Sequence, residues 1–329
     1  MTSCQCIFLI KLNIEHWSLR MNEKTRRPES DVAGEEHWTN KGEIKLFLWE
    51  KFVDNPTDAE RTIVFVHGSS MASQPTFDLQ VNDRPYSSAM NYFALRGFDS
   101  WCVDMEGYGR SDKDRDDHFD ISNGADDLKA AVDYIKETRG IEKVDMYGIS
   151  SGALRAALFA ERNPGDVDRL VMDAMVWTGE GSQTLASRKK KLPEFKANRR
   201  RPIDLNFVRS IFSRDHPGCA EDKVVEAFAK AICELDDSIP NGTYVDMCEN
   251  LPLVNPLKLT MPSMIMRGQW DGIAGMEDLL KFFNLLPNSD KQFKVMSGIS
   301  HASFQQINYL MAYEILHTFL TQPEPIYKG

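Results

Sequence analysis

Short apolar runs alternate with amphipathic segments along most of the chain. The runs are rich in β-branched residues and bounded by charged residues or glycine, which is typical of buried strands. Strands are predicted over 62–66, 101–103, 144–147, 170–175, 263–266 and 293–296, and helices over 152–163, 276–286 and 304–319. This alternation predicts an α/β protein with a mostly parallel sheet covered by helices on both faces.

Two further elements frame this pattern. Residues 36–40 and 44–52 resemble two strands joined by a tight turn, which predicts an antiparallel hairpin at the edge of the sheet. A helix with one apolar face is expected to end at Gly140, with Ser122 or Asn123 as its N-cap.

The alternation stops between residues 177 and 260. Apolar residues recur there at helical spacing, first after Asp204 and again over 224–235. We interpret this stretch as a helical cap inserted after the sixth strand, over one end of the sheet. The predicted domains are a poorly ordered N-terminal extension (1–35), a core domain (36–176 and 261–322), the cap (177–260) and a C-terminal tail (323–329).

Composition and charge narrow the class of protein. The 329 residues include 42% hydrophobic residues, enough for a large core, and the formal net charge is −10. Duplex nucleic acid is an unfavourable partner for such a chain, because phosphate binding depends on Lys and Arg. The sequence lacks an apolar stretch of the length that spans a membrane. We therefore expect a cytoplasmic protein without membrane or nucleic-acid partners, and leave homo-oligomerisation open.

The cysteines do not suggest a metal or redox site. The six cysteines lack paired C-x-x-C spacing, and free thiols are expected rather than a disulfide framework. The histidines likewise lack metal-ligand spacing, so the sequence predicts no metal and no organic cofactor.

The most specific motif is Gly-Ile-Ser-Ser-Gly over residues 148–152, between a predicted strand and a predicted helix. A G-x-S-x-G turn in this context holds its serine on a tight bend, exposed at the helix N-terminus. A serine hydroxyl is a weak nucleophile at neutral pH and needs a base, which in turn needs an acid to orient it. Ser150 is therefore the candidate nucleophile.

Both partners are expected downstream of Ser150. His301 falls in the loop between the last strand and the last helix, and Asp271 follows the strand 263–266. The order serine, aspartate, histidine is the order expected for an elbow of this type. Asp173, at the end of another strand, is the rival acid.

A developing oxyanion also needs backbone donors. The amide of Ser151, next to the nucleophile, and that of Ser69, in the loop after the first buried strand, are the candidates. Gly68 would allow the substrate to approach closely.

Together these residues resemble the α/β-hydrolase fold superfamily, in its serine hydrolase (esterase/lipase-like) branch with a helical cap. The resemblance covers residues 40–322 and rests on His67-Gly68, the loop 104–112, the elbow at Ser150, Asp271 and His301. It implies an eight-stranded, mostly parallel sheet and a Ser-His-Asp triad. The chain departs from the usual pattern at Ser151, where Met or Gln is more common, and at Trp270. Its serine argues against the dehalogenase and epoxide hydrolase branches, which use aspartate.

Substrate contacts are harder to predict. Some cap aromatics must line the site if the cap closes over Ser150, which favours a partly apolar substrate. The run 188–201 carries eight basic residues against Glu194, and is either an exposed hinge or a surface that recognises an anionic substrate. The candidate substrate-binding residues are Ser70, Trp177, Trp270, Phe207 and Phe212.

We predict a serine hydrolase that cleaves a carboxylic ester or lactone of a small organic substrate through an acyl-enzyme. One alternative is a hydrolase of carbon-carbon bonds in diketones that uses the same triad. Gln269, where that branch usually carries arginine, counts against it. Another alternative is a non-catalytic protein that binds small ligands on a hydrolase scaffold.

Overall fold

The computed structural model describes residues 27–326. Most of the predicted N-terminal extension and residues 327–329 of the predicted tail lie outside this range. The first described strand begins at Val32, four residues before the predicted position, because it pairs along its whole length with the second strand, from Val32 opposite Val53 to Lys41 opposite Ile44.

Eight strands form one sheet in the order β1-β2-β4-β3-β5-β6-β9-β10. The pairs β1–β2 and β2–β4 are antiparallel, and the other pairs are parallel. This confirms the predicted mostly parallel sheet with an antiparallel hairpin at one edge. The strands are β1 (Val32–Lys41), β2 (Ile44–Val53), β3 (Arg61–Val66), β4 (Phe98–Val103), β5 (Val144–Ile149), β6 (Val167–Asp173), β9 (Ser263–Gly268) and β10 (Lys291–Met296).

Helices cover both faces of this sheet and bury two separate apolar clusters. One cluster contains Leu128, Leu154 and Phe282, whereas the other contains Tyr313. The helices outside the segment between β6 and β9 are α1 (Ser73–Phe77), α2 (Ala89–Ala94), α3 (Ile121–Arg139), α4 (Ser151–Arg162), α10 (Met276–Leu285) and α11 (Tyr309–Thr321).

Some helix and strand boundaries differ from the predicted ones because of local side-chain and backbone interactions. The N-cap of α3 is Asp120, whose side chain accepts from the amide of Asn123, so the expectation of Ser122 or Asn123 as N-cap was wrong. Gly140 ends α3 in the left-handed conformation, as expected. Strand β6 stops at Asp173 because Ala174 has a φ of 52°.

The predicted helix 304–319 is interrupted in the structure. A short 3₁₀ turn, Ser303–Gln305, is followed by α11 from Tyr309. The guanidinium of Arg84 donates to the carbonyls of Phe304 (3.1 Å) and Gln306 (2.9 Å). These carbonyls are therefore directed at a side chain rather than into a continuous helical ladder.

Residues 177–260, called the insert below, lie between β6 and β9 and contain helices and one small two-stranded sheet. Its N-terminal end is fixed by the buried carboxylate of Asp278, which accepts from the amides of Trp177, Thr178 and Gly179 at 3.0 to 3.1 Å. The elements of the insert are α5 (Gln183–Lys189), α6 (Leu192–Ala197), β7 (Arg200–Pro202), α7 (Leu205–Ser213), α8 (Asp222–Leu235), β8 (Ser238–Pro240) and α9 (Gly242–Val245).

The insert is bonded to the loop that follows β4. Asp236 accepts from the amide of Gly109 at 3.0 and 3.2 Å, Arg200 donates to the carbonyl of Gly107 at 3.0 Å, and the amide of Gly242 donates to the carbonyl of His118 at 2.7 Å. The insert therefore packs on the edge of the sheet where the parallel strands end.

Within residues 27–326, no helix is long and apolar enough to cross a membrane. The cysteines in this range, Cys102, Cys219, Cys233 and Cys248, are free thiols, while Cys4 and Cys6 lie outside it.

Candidate active site

Ser150 sits on the turn between β5 and α4. Its φ is +59° and its ψ is −124°, a conformation that L-residues rarely adopt. The turn is held by the amide of Ser150, which donates to the carbonyl of Asp173 at 2.8 Å, and by its carbonyl, which accepts from Ala153 at 3.0 Å. The strained backbone presents the hydroxyl outside the end of the sheet.

The two glycines of the motif are required by packing. A Cβ at Gly148 would collide with the backbone of Gly152, and a Cβ at Gly152 would collide with the carbonyl oxygens of Val66 and His67. The helix α4 can therefore approach β3 and β5 closely only because both residues lack a side chain.

Ser150, His301 and Asp271 form one hydrogen-bonded chain. The Oγ of Ser150 lies 2.9 Å from the Nε2 of His301, and the Nδ1 of His301 lies 3.0 Å from the Oδ2 of Asp271. The residues follow β5, β10 and β9, whose carboxyl ends meet at one edge of the sheet. Three residues predicted from the sequence as a set are thus brought together by the fold.

The surroundings of Asp271 favour its ionised form. Burial alone would raise the pKa of this carboxyl, but His301 and the amides of Ile273 (2.8 Å) and Ala274 (3.1 Å) stabilise the negative charge, so the pKa lies below its usual value. A carboxylate at this position fixes the tautomer in which Nδ1 of His301 carries a proton and Nε2 accepts from Ser150.

Asp173, the rival acid, is placed differently. Its Oδ2 accepts a 2.6 Å hydrogen bond from the hydroxyl of Tyr147, and the side chain is fully buried at the end of β6. Burial raises its pKa to about 7. The carboxylate bonded to His301 is that of Asp271.

The loop 67–70 lies against the nucleophile turn. Ser69 donates from its Oγ to the Oγ of Ser151 at 2.5 Å, so the two predicted oxyanion residues are bonded side chain to side chain. Ser151 is the first residue of α4, and its amide belongs to the turn of the helix that lacks an intrahelical acceptor. The predicted pair is therefore adjacent.

His67 and Arg155 stabilise this loop. The buried ring of His67 donates from Nδ1 to the carbonyl of Gly68 (2.8 Å) and accepts at Nε2 from the amide of Met105 (3.1 Å). Burial, aided by the charge of Arg155, lowers the pKa of His67 to about 3, so it stays neutral. Arg155 in turn donates to the carbonyl of His67 at 3.1 Å.

The predicted substrate-binding residues are placed unequally. Ser70 is buried beside the elbow, with its Oγ 3.3 Å from the hydroxyl of Tyr244. Trp270 is 43% exposed next to Asp271 and stacks on His216 of the insert at 4.5 Å. The other three have packing partners: the ring of Trp177 lies against Phe282, that of Phe212 lies against Phe228, and Phe207 packs on the same core.

A cluster of arginines beside Ser70 was not predicted as such. The guanidinium of Arg201 lies 3.6 Å from the ring centroid of Tyr244, and that of Arg188 lies 4.2 Å from it. Both arginines belong to the basic run 188–201, so the charge bias of the sequence pointed to them. Tyr244 is one of the cap aromatics, some of which were expected to line the site.

One group of side chains next to Ser150 could in principle hold a metal ion. A carboxylate oxygen of Asp215, one of Asp271 and a ring nitrogen of His301 lie within 4.8 Å of one another. Asp215 already pairs with Arg214 at 2.9 Å, however, and Asp271 with His301. A cation there would have to compete with the ion pair between Arg214 and Asp215 and with the Asp271 hydrogen bond that orients His301.

Comparison with known proteins agrees with the fold described above. A family model described as "Serine aminopeptidase, S33" (Hydrolase_4) matches residues 57–307, which is most of the chain. The chain belongs to this family of α/β hydrolases. The family match and the described fold confirm the predicted superfamily, and make the protein an α/β-hydrolase enzyme.

Named relatives of this α/β hydrolase also match most of its chain. It is 25% identical to the AB hydrolase superfamily protein YisY of Bacillus subtilis (strain 168), over 77% of this chain and 90% of that protein. The structure of E-2-(acetamidomethylene)succinate hydrolase superposes with a TM-score of 0.65 at 17% identity, covering 88% of this chain and 100% of the other. A thermophilic esterase from Thermogutta terrifontis gives 0.63 at 16% identity, covering 87% and 98%. The two structures share the fold.

Proposed function

We propose that this hydrolase cleaves a carboxylic ester or lactone of a small, partly apolar substrate through a covalent acyl-enzyme. The observation that carries the proposal is the continuous chain from the Oγ of Ser150 through His301 to Asp271, with contacts of 2.9 and 3.0 Å. The strained backbone of Ser150 supports it, since strained conformations of this kind cluster at functional sites.

In the first step, the Oγ of Ser150 attacks the ester carbonyl while its proton passes to the Nε2 of His301. The C–O π electrons move onto the carbonyl oxygen, and Asp271 stabilises the imidazolium that forms. His301 then returns the proton to the departing alkoxide oxygen. The C–O bond to the alcohol breaks, and the acyl group stays on Ser150.

The oxyanion of each tetrahedral intermediate needs donors aimed at it before the reaction starts. The amides of Ser69 and Ser151 supply them in this proposal. The 2.5 Å hydrogen bond between their side chains supports the assignment, because it holds the loop 67–70 against the first turn of α4.

Deacylation repeats the sequence with water. His301 removes a proton from a water molecule as its oxygen attacks the acyl carbon, and then protonates Ser150 Oγ as the acid leaves. Atoms balance without an added cofactor, because water supplies the hydroxyl of the acid and the hydrogen of the alcohol.

We propose that the insert acts as the cap over this site. Two contacts support this: Tyr244 reaches Ser70, and His216 stacks on Trp270, the residue before Asp271. Ser70 and Trp270 would then face the substrate. Trp177, Phe207 and Phe212 remain predicted as substrate contacts.

The experiment is labelling with a fluorophosphonate probe, read by intact mass, together with hydrolysis of 4-nitrophenyl acetate and butyrate. We expect one adduct and ester turnover for the wild type, and loss of both in Ser150→Ala. His301→Ala should lose labelling and turnover while keeping the far-UV circular dichroism of the wild type.

A folded wild type that neither labels nor hydrolyses esters would overturn the proposal. Labelling at Ser150 with turnover of an aminoacyl 4-nitroanilide but of no ester would support the triad. It would also show that the bond cleaved is an amide rather than an ester. Labelling that persists in Ser150→Ala would exclude Ser150 as the nucleophile.

A further inference from the structure

Three arginines of the insert surround one buried phenol. Tyr244, in α9, is 6% exposed, and the guanidinium carbons of Arg201 (in β7) and Arg188 (near the end of α5) lie 3.6 and 4.2 Å from its ring centroid. Arg214, directly after α7, is close enough for its charge to act on Tyr244. Separate elements of the insert thus bring like charges together, which is unfavourable unless an anion compensates them.

Carboxylates among the described residues balance only part of this positive charge. Within residues 27–326, Arg214 has an ion pair, with Asp215, but neither Arg188 nor Arg201 pairs with a carboxylate. The Nη1 and Nη2 donors of Arg201 go instead to the carbonyls of Pro240 (2.6 Å) and Ser69 (3.1 Å) and to two side-chain oxygens, while its buried Nε has no hydrogen-bond partner within residues 27–326. The guanidinium of Arg188 has no hydrogen-bond acceptor in the same range, so its planar fork is open.

The acidity of Tyr244 agrees with an excess of positive charge. Burial would raise the pKa of this phenol, but Arg188 and Arg201 outweigh burial and lower it to about 7. Burial and the charges of Arg214 and Arg201 also lower the pKa of the Arg188 guanidinium. Both shifts are expected where a positive potential is only partly neutralised.

This cluster contacts the loop 67–70, which lies against the nucleophile turn. The hydroxyl of Tyr244 lies 3.3 Å from the Oγ of Ser70, and Arg201 donates to the carbonyl of Ser69, whose side chain reaches Ser151. On the other side, the charge of Arg214 also acts on Asp271. An anion bound at the open fork would therefore belong to the same molecule as the ester attacked by Ser150.

The geometry points to a carboxylate-binding subsite at Arg188 and Tyr244, and hence to a substrate that carries a carboxylate besides its scissile ester. This inference rests on the proposed function and names its substrate class. Arg188 would bind the carboxylate through its fork, and the protonated form of Tyr244, which a bound carboxylate favours, would donate its hydroxyl beside Ser70.

A carboxylate fits this subsite better than a phosphate group. Arg188 is the guanidinium with an open fork, because Arg201 is committed to main-chain carbonyls and Arg214 to Asp215. One fork binds the two oxygens of one carboxylate, whereas a phosphate group presents a third oxygen that the fork of Arg188 does not bind.

The kinetic experiment compares esters that differ in one charge. Mono(4-nitrophenyl) glutarate and 4-nitrophenyl valerate have acyl chains of the same length, and 4-acetoxybenzoate and phenyl acetate place the charge on the leaving group instead. We expect the wild type to prefer the charged member of at least one pair by about tenfold or more in kcat/KM. Arg188→Met should remove that preference, and Arg188→Lys should restore part of it. Spontaneous hydrolysis is subtracted with Ser150→Ala.

The matched control is Lys190→Met, which removes an equal charge two residues along the chain from an exposed position. It should keep the preference of the wild type. A wild type that hydrolyses esters without preferring a charged member would overturn the subsite but not the hydrolase. An equal loss of the preference for the charged ester in Lys190→Met and Arg188→Met would also overturn the subsite.

A second readout does not need turnover. Isothermal titration of Ser150→Ala with monomethyl glutarate should show binding, and adding Arg188→Met should weaken that binding about tenfold or more. Dimethyl glutarate, which lacks the free carboxylate, should bind Ser150→Ala more weakly than monomethyl glutarate does, and adding Arg188→Met should not change its binding. Equal binding of the two esters, or binding of inorganic phosphate in place of monomethyl glutarate, would overturn the carboxylate assignment even if the esterase proposal had already failed.

Discussion

The hydroxyl of Ser69 donates a 2.5 Å hydrogen bond to the hydroxyl of Ser151. Because both side chains are buried, this bond holds the loop after β3 at a fixed distance from the first turn of α4. The amides of the same two residues are the ones we propose as oxyanion donors.

Removing this bond should slow the reaction more than it weakens substrate binding. We expect Ser69→Ala to lower kcat on 4-nitrophenyl butyrate about tenfold with little change in KM, because misplaced amides act on the transition state. Steady-state kinetics test this, with Ser289→Ala, at an exposed position far along the chain, as the control. A rise in KM at constant kcat would contradict the assignment.

Two aspartates at neighbouring strand ends should respond differently to the same substitution. Asp271→Asn removes the charge that orients His301, and we expect kcat to fall by about 1,000-fold or more. Asp173→Asn keeps an oxygen acceptor for Tyr147 and should cost less than about tenfold. Stopped or continuous ester assays on the two variants decide between them, and the reverse order would make Asp173 the acid.

Asp173 should make the stability of the protein depend on pH. Burial raises its pKa to about 7 in the folded state, whereas the unfolded carboxyl titrates near its usual value of 3.8. Between these values the folded state binds more protons, so this group lowers stability as the pH rises from about 4 to about 7. Asp173→Asn lacks this loss. The free energy of unfolding of Asp173→Asn, taken relative to that of the wild type, should therefore be higher at pH 8 than at pH 5. Urea unfolding at both pH values measures the difference, and an equal difference at the two would refute the assignment.

The elbow should not tolerate a methyl group at Gly152. A Cβ there would overlap the carbonyl oxygens of Val66 and His67, so we expect Gly152→Ala to lower the free energy of unfolding by about 3 kcal/mol or to prevent folding. Gly165→Ala is the control, because a Cβ at Gly165 meets open space. Similar stabilities for the two variants would show that the turn can relax.

The hydrogen-bonded chain of Ser150, His301 and Asp271 could be predicted because each member lies in a recognisable local sequence context. Ser150 lies in a short motif between a strand and a helix, and Asp271 and His301 each follow a strand whose end the fold brings to the same edge. The position of Asp120 as the N-cap of α3 was missed, although aspartate is a favoured N-cap residue, because Ser122 and Asn123 offered similar side-chain oxygens nearby.

The surroundings of Tyr244 could not be predicted in the same way. Arg188, Arg201 and Arg214 reach it from separate elements, and only tertiary packing decides which of many basic residues meet. Trp177 stays a predicted substrate contact, but its packing against Phe282 could not be read from the sequence. Composition identifies residue types, whereas side-chain partners depend on the path of the insert.

The position of the insert between β6 and β9 also bears on how the protein folds. These two strands are neighbours in the sheet, yet the whole insert separates them in sequence, so their pairing closes a long loop at a high entropic cost. Asp271 and His301 follow β9 and β10, so they reach Ser150 only after β6 and β9 have paired. During refolding, recovery of hydrolysis would therefore report the completed sheet, and would follow the recovery of helical signal rather than accompany it.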